Sequence, residues 1–336
     1  MPYTEKPNEA FLDLLRKSGD SDPGLATAAQ REFAKALEMP LRKAVLVGNN
    51  RSNIFGSIPV ENGSAEFPLD LVSPGLEGEH VAYTNPGHGR IPERSVEGDY
   101  VTIPTYSITS SVDFLLRYAR DARWDIVQRA MQVLEAGFVK KMNDDGWNTL
   151  LAAGVDRNIL VYDGDAVAGM FTKRLVSLLQ NVMRRNAGGN TGSSNRGRLT
   201  DLYVSPEALS DVRSWGIDQI DETTRREIYT ATDGGAPITR IFGVNLHDLD
   251  ELGEGQEYQT FFASATGLNG ALQASDVELV VGLDQGSQDS FVMAVKQDVS
   301  VFEDPALHRQ QRAGFYGWAE IGFGVLDSRR ILLGSF

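Results

Sequence analysis

The sequence predicts an α+β protein, and three stretches carry that expectation. Residues 110–146 hold apolar residues at helical spacing over many turns. Residues 286–325 alternate apolar and polar residues as long strands do. Between residues 55 and 110 the chain turns rich in Gly, Pro, Glu and Ser, with short strand-like pieces set between turn signals.

Two short helical patterns open the chain. In "NEAFLDLLRKSG" Phe11, Leu12, Leu14 and Leu15 cluster, with Asn8 as cap and Gly19 as stop. In "LATAAQREFAKALEM" Leu25, Ala29, Phe33, Ala36 and Leu37 follow the helical period, and Pro40 is expected to break the helix. These read as short, separate helices of an arm. The next segment offers "GSIPVE", "SAEFPLDLV", "EHVAYT" and "DYVTIPTYSIT" as strands, and Pro59, Pro68 and Pro104 argue against a central place in a sheet. An isolated hairpin is marginal in water, so the segment is expected to lie on something else, with a partner subunit as the natural support.

The long helix is expected to start at Ser110 or Ser111 as its cap, to run roughly 45 Å and to end at Asn143–Gly146. Its stripe runs from Val112 through Leu116, Ala119, Ile126, Val127 and Leu134 to Phe138, and Trp147–Val155 follows as a short coda. A second helix is expected over Gly169–Asn186. In "LTDLYVSPEALSDVRSW" a strand runs into a helix capped by Ser205 with Pro206 at its first position. "APITRIFGVNLHDLDELG", "EYQTFFASA", "DVELVVGLD" and "DSFVMAVKQDVSVFED" read as strands. In the last ribbon, Ala313, Phe315, Gly317, Ala319, Ile321, Phe323 and Val325 form one apolar face. Tyr316, Trp318 and Glu320 stand on the other.

Composition bounds the chemistry. The 336 residues are 41% hydrophobic and 23% charged, which is ordinary for a globular protein with a packed core. There is no cysteine, which excludes disulfides, thiolate zinc sites and cysteine nucleophiles. No signal-peptide pattern opens the chain and no run of eighteen apolar residues occurs, so no membrane partner is expected. A net charge of −14 repels a phosphate backbone, so specific nucleic-acid binding is not expected. Arg184, Arg185, Arg196 and Arg198 flank a Gly/Asn/Ser-rich loop, but cations gather at a helix C-terminus without any phosphate.

Motifs with known mechanics are missing: no Walker A loop, no "HExxH", no "GxSxG". Of four histidines, only His247 sits beside acids, Asp248 and Asp250. On a strand His247 shares its face with Asn245 and Leu249, and both acids point away. Neither a catalytic residue, a cofactor nor a metal is therefore expected.

The order of these parts, closing on "VSVFEDPALHRQQRAGFYGWAEIGFGVLDSRRILLGS", resembles the HK97-fold major capsid protein of tailed bacteriophages. The resemblance implies an N-terminal arm over 1–54 and an extended β-hairpin, the E-loop, over 55–110. It implies a peripheral domain with its spine helix over 111–160 and an axial α/β domain over 161–285. Residues 286–330 would return as peripheral strands and loop, and 331–336 as a C-terminal strand of the axial domain. It further implies a non-enzymatic shell protein that assembles with itself into hexamers and pentamers around double-stranded DNA, in the host cytoplasm, and resides in the virion. A separate scaffolding protein, a portal and a cement protein are the implied partners.

Contact residues are expected in the acidic hairpin (Glu66, Asp70, Glu77, Glu79, with Arg90 and Arg94) and in the loop "FEDPALHRQQR" (Glu303, Asp304, His308, Arg309, Arg312). The type member of the fold joins subunits by a Lys–Asn isopeptide bond. Here residues 52–111 hold no lysine and no asparagine follows Asn269, so no such crosslink is expected. Two other readings stay open: an encapsulin-type nanocompartment, whose shells replace the extended arm with a helix, and an oligomeric hydrolase using His247.

Overall fold

The computed structural model describes residues 9–47, 53–60, 65–68, 100–167, 169–186, 197–215, 239–264, 278–286 and 290–336. Helices α1 (Glu9–Ser18) and α2 (Pro23–Val47) come first, then strands β1 (Gly56–Pro59), β2 (Ala65–Pro68), β3 (Tyr100–Ile103) and β4 (Tyr106–Leu115). Next are α3 (Leu116–Arg120), α4 (Trp124–Asp156), β5 (Leu160–Tyr162), α5 (Lys173–Asn186), β6 (Asp201–Val204) and α6 (Pro206–Ser214). The chain continues with β7 (Thr239–Ile241), β8 (Val244–Asp248), α7 (Glu257–Ser264), β9 (Leu279–Leu283) and β10 (Phe291–Glu303). It ends on β11 (Arg312–Val325) and β12 (Ile331–Ser335).

These elements divide into two compact units, each interleaved in sequence. The first draws its described residues from Met1–Glu66, Thr102–Gly146 and Val292–Gly324. Its four-stranded sheet has the order β1-β10-β11-β4. Strand β1 runs parallel to β10 with Gly56 opposite Val292, and β11 runs antiparallel to β4 from Arg312–Leu115 to Ile321–Tyr106. Ala313, Phe315, Ala319, Ile321 and Phe323 of β11 are buried, as the alternation predicts, while Val325 at its end is half-buried. Phe315 meets Phe33 of α2 with ring centroids 5.5 Å apart. A Cβ at Gly317 would lie 2.8 Å from the Phe138 ring, so glycine there is what lets α4 close on the strand. Each such phenylalanine, fully buried, stabilises the unit by about 1.5–3 kcal/mol.

The second unit draws on Phe67–Val101, Trp147–Phe291 and Val325–Phe336. Its sheet has the order β5-β12-β9-β6-β8-β7, with β12 and β6 antiparallel to β9, β5 parallel to β12, β8 parallel to β6 and β7 antiparallel to β8. Leu202, Val204 and Leu332 pack with Leu175, Leu179 and Met183 of α5 and Ala208 and Val212 of α6. On the opposite face Tyr203 meets Trp147, centroids 4.9 Å apart, and Trp147 stacks with Tyr258 of α7. Ser205 caps α6 by accepting from Ala208 N, with Pro206 first, as the sequence predicts.

Several expectations change. The long helix begins at Trp124, not at Ser110 or Ser111. Residues 106–115 are strand because they pair along their whole length with β11, and this ladder overrides the helical spacing. A break with Ala122 at φ 49 then separates α3 from α4. Asn143–Gly146 does not end α4, which runs 33 residues, about 50 Å, to Asp156. Gly146 is accommodated where Phe55 and Phe323 lie 3.4 and 3.7 Å from its missing Cβ, and Trp147, Leu150 and Leu151 continue the buried stripe.

Pro40 likewise fails to break α2, which spans 25 residues. Leu37 and Leu41 are buried on either side of it, and Arg42 bonds to Val299 O at 2.7 Å and Glu38 at 2.6 Å, so tertiary contacts outweigh the lost hydrogen bond. The two helices are separate as expected and α1 is short, at 10 residues, but α2 is long, and Leu15, Phe33, Leu37 and Leu41 belong to the core. Strand β1 joins the four-stranded sheet as an edge, where Pro59 costs little, while β2 and β3 pair with each other. "EYQTFFASA" forms helix α7, because Tyr258 and Phe262 at i, i+4 are both buried and Gln259 turns back to accept from Leu279 N.

Gly322 faces the Pro104 carbonyl where a Cβ would stand, and backbone yields less than a side chain. Gly322→Ala is expected to destabilise the unassembled chain by about 1–3 kcal/mol in urea unfolding. Gly24→Ala, in the first turn of α2 with only Asp22 Oδ1 at 3.4 Å, is expected to be neutral or stabilising.

Candidate functional site

The loop between β10 and β11 is built by its own sequence. Asp304 accepts from Ala306 N at 3.0 Å and Pro305 starts a 3-10 turn to Gln310. Gln311, in the left-handed region at φ 56, closes it by donating to His308 O, and its own carbonyl accepts from Leu116 N at 2.9 Å. Leu307 packs into the space that Gly314 leaves.

Most of the predicted contact residues here hold intrachain partners. Glu303, its side chain 12% exposed, pairs with Arg31 at 3.0 Å. Arg312 pairs with Asp113 at 2.7 Å, and His308 Nε2 lies 3.3 Å from Asp20 O. Arg309 is exposed with no carboxylate partner among the described residues. Glu66 is exposed on β2. Asp70, Glu77, Glu79, Arg90 and Arg94 lie outside the described residues. Close to the loop, Phe302 stacks on Tyr316 at 5.5 Å and lies 6.4 Å from Trp318, and Tyr316 is exposed. Paired charges thus stand beside half-exposed aromatics on this loop and sheet.

The other candidate is His247 on β8. Parallel pairing sets Tyr203 opposite His247 and Asp201 opposite Asn245. His247 Nε2 bonds Asp201 Oδ1 at 2.8 Å and its ring stacks on Tyr203 at 4.8 Å. Asn245 also donates to Asp201, at 3.1 Å. Burial pushes the Asp201 carboxyl up, but the hydrogen bonds from His247, Thr200 and Asn245 outweigh it and hold it below the usual carboxylate range. Burial and the Asp201 charge push the Tyr203 hydroxyl up, so it stays neutral and accepts from Gln285. As predicted, neither Asp248 nor Asp250 takes part in this cluster. Asp201, 46 positions away, is the partner that sequence reading missed, and only the β6–β8 pairing could reveal it. Among the described residues no group of three metal-ligating side chains occurs and no hydroxyl nucleophile bonds to His247.

No family model matches the chain, and no curated protein matches it. Solved structures do. A chain of the capsid of an empty GTA particle aligns with TM-score 0.53 at 14% identity, covering 86% of this chain and 90% of that one. A chain from Microbacterium phage Oxtober96 aligns with TM-score 0.54 at 10% identity over 86% and 90%. The capsid of cyanophage P-SCSP1u gives 0.50 at 14% identity over 85% and 87%. The fold is therefore the HK97-like α+β capsid fold that the sequence resemblance implied.

Because the folded value of Asp201 lies below its unfolded value, its stabilisation is complete above about pH 4 and is lost as pH falls through the folded value. Asp201→Asn is expected to lower stability at pH 7 by about 1–3 kcal/mol. The difference should shrink towards pH 2, read as melting temperature against pH.

Proposed function

We propose that the chain is a major capsid protein, assembling with itself into hexamers and pentamers that close an icosahedral shell around double-stranded DNA. The observation that carries this reading is a fold held in common with phage and GTA capsid chains over about nine-tenths of their length. On this reading the first unit is the peripheral domain with α4 as its spine, and the second is the axial domain. The acidic segment between β2 and β3 reaches a neighbouring subunit, and Arg309, with the aromatic ladder Phe302–Tyr316–Trp318, meets another. Such heterologous contacts close into rings that tile a shell. The role is mechanical, a reading supported by His247, to which no hydroxyl bonds among the described residues. Assembly takes place in the host cytoplasm, with scaffolding, portal and cement proteins as separate chains, and the −14 charge keeps the wall from gripping DNA.

One observation favours a second reading. The N-terminal helices are folded into the first unit, with Phe33 and Leu41 fully buried, and are not held out as an extended arm. That arrangement fits an encapsulin-type nanocompartment holding a cargo enzyme.

Negative-stain microscopy of the purified protein is expected to show closed shells, tubes, or five- and six-membered rings. Uniform particles no larger than a tetramer would overturn both shell readings. Nucleic acid inside particles from infected cells supports the capsid, and an enclosed enzyme supports the nanocompartment. Boiled particles are expected to run as monomers on a denaturing gel, since the lysine and asparagine needed for an isopeptide weld are missing from their segments.

A further inference from the structure

A cleft of about 200 Å³ in the second unit is lined by Gln180, Asn181 and Arg184 of α5, Arg198 before β6, and the Phe242–Gly243 turn between β7 and β8. Neither arginine has a carboxylate partner among the described residues, whereas Arg42, Arg174, Arg312, Arg329 and Arg330 all do. Both are exposed, and what sets them apart from the other exposed arginines is that they line one concavity together. Two guanidinium groups on one concavity offer planar forked donors that suit an anion between them. Arg184 stands in the last turn of α5, where the helix end carries about half a negative charge, too little to balance two cations.

The turn supplies the second observation. Phe242 has φ 50 and Gly243 φ 78, so both central residues of this two-residue hairpin are left-handed. Asn-Gly is the pair such a turn favours, and a bulky aromatic at its first position carries a backbone cost. Phe242 is nonetheless there, 46% exposed, with its carbonyl held by Gln180 Nε2 at 3.1 Å. Beside it Gly243 has nothing within 4 Å of where a Cβ would stand, so the floor of the cleft is open to a ligand. The turn does not account for the ring, and the two cations stand beside it on the same cleft.

We propose that this cleft binds a nucleoside phosphate. The base stacks on Phe242, the phosphate lies between Arg184 and Arg198, and the Asn181 carboxamide bonds to the sugar or phosphate oxygens. The ligand is a free mononucleotide or one unit of a single strand, since both present this chemistry. An acidic peptide would satisfy the arginines but leaves the ring without a role. The site is independent of whether the chain forms a shell.

The test is fluorescence anisotropy of the full-length protein with a fluorescein-labelled oligothymidylate of about ten nucleotides at roughly 50 mM salt. Arg184→Gln with Arg198→Gln is expected to weaken binding about tenfold or more and to flatten its salt dependence. Phe242→Asn, which suits the turn and so preserves the melting temperature, is expected to weaken it about tenfold by removing the stack. Displacement by thymidine monophosphate identifies the free nucleotide as ligand, and resistance to it identifies the strand. The proposal is overturned by no binding, by unchanged affinity in both variants, or by stronger displacement with a peptide of residues 73–83 than with thymidine monophosphate.

Discussion

The first unit depends on how closely helices can approach one strand. Strand β11 lies inside its sheet, between β10 and β4, and its buried face must accept both α2 and α4. Phe315 fills the space under Phe33, and two residues on Gly317 yields the space to Phe138. A side chain at Gly317 would push α4 outwards, and the shared burial of Phe33, Phe138 and Phe315 would be lost together. The aromatic and glycine content of residues 313–325 is therefore a packing code.

The second unit is fixed at its strand ends by carboxylates. Asp201 gathers His247, Asn245 and Thr200. Asp284 accepts from the Arg198 and Gly286 amides and from the buried Arg330 guanidinium. Burial pushes the Asp327 carboxyl up, but Arg329, held at 2.8 Å, brings it below its usual range. Each charge is paired and hydrogen-bonded, so burial is tolerated, and removing one partner leaves a buried charge alone.

A shell protein needs stiffness and specific edges more than a reactive centre. The hydrogen-bonded Asp304–Gln311 loop, tied back through Glu303 to Arg31 and through Arg312 to Asp113, presents Arg309 on a fixed support. Most of the loop's charges are paired inside the chain, and Arg309 and Tyr316 are left exposed.

Alternation and capping are local, and the sequence by itself determined what depends on them: the two faces of β11, the strand β10, the Ser205–Pro206 start of α6, and His247 turned away from Asp248. It also carried the order of parts from which the fold was recognised. Helix limits belonged to tertiary structure. Residues 110–115 suit a helix by spacing but belong to a strand that pairs along all its ten residues with β11, and the ladder wins. Pro40 and the Asn143–Gly146 stretch are breakers locally, yet buried neighbours on both sides hold α2 and α4 together. The partners Arg31, Asp113 and Asp201, and the meeting of Arg184 with Arg198 and Phe242, were likewise invisible. They join residues distant in sequence, and only the pairing of strands and the packing of helices decides which distant side chains share one place.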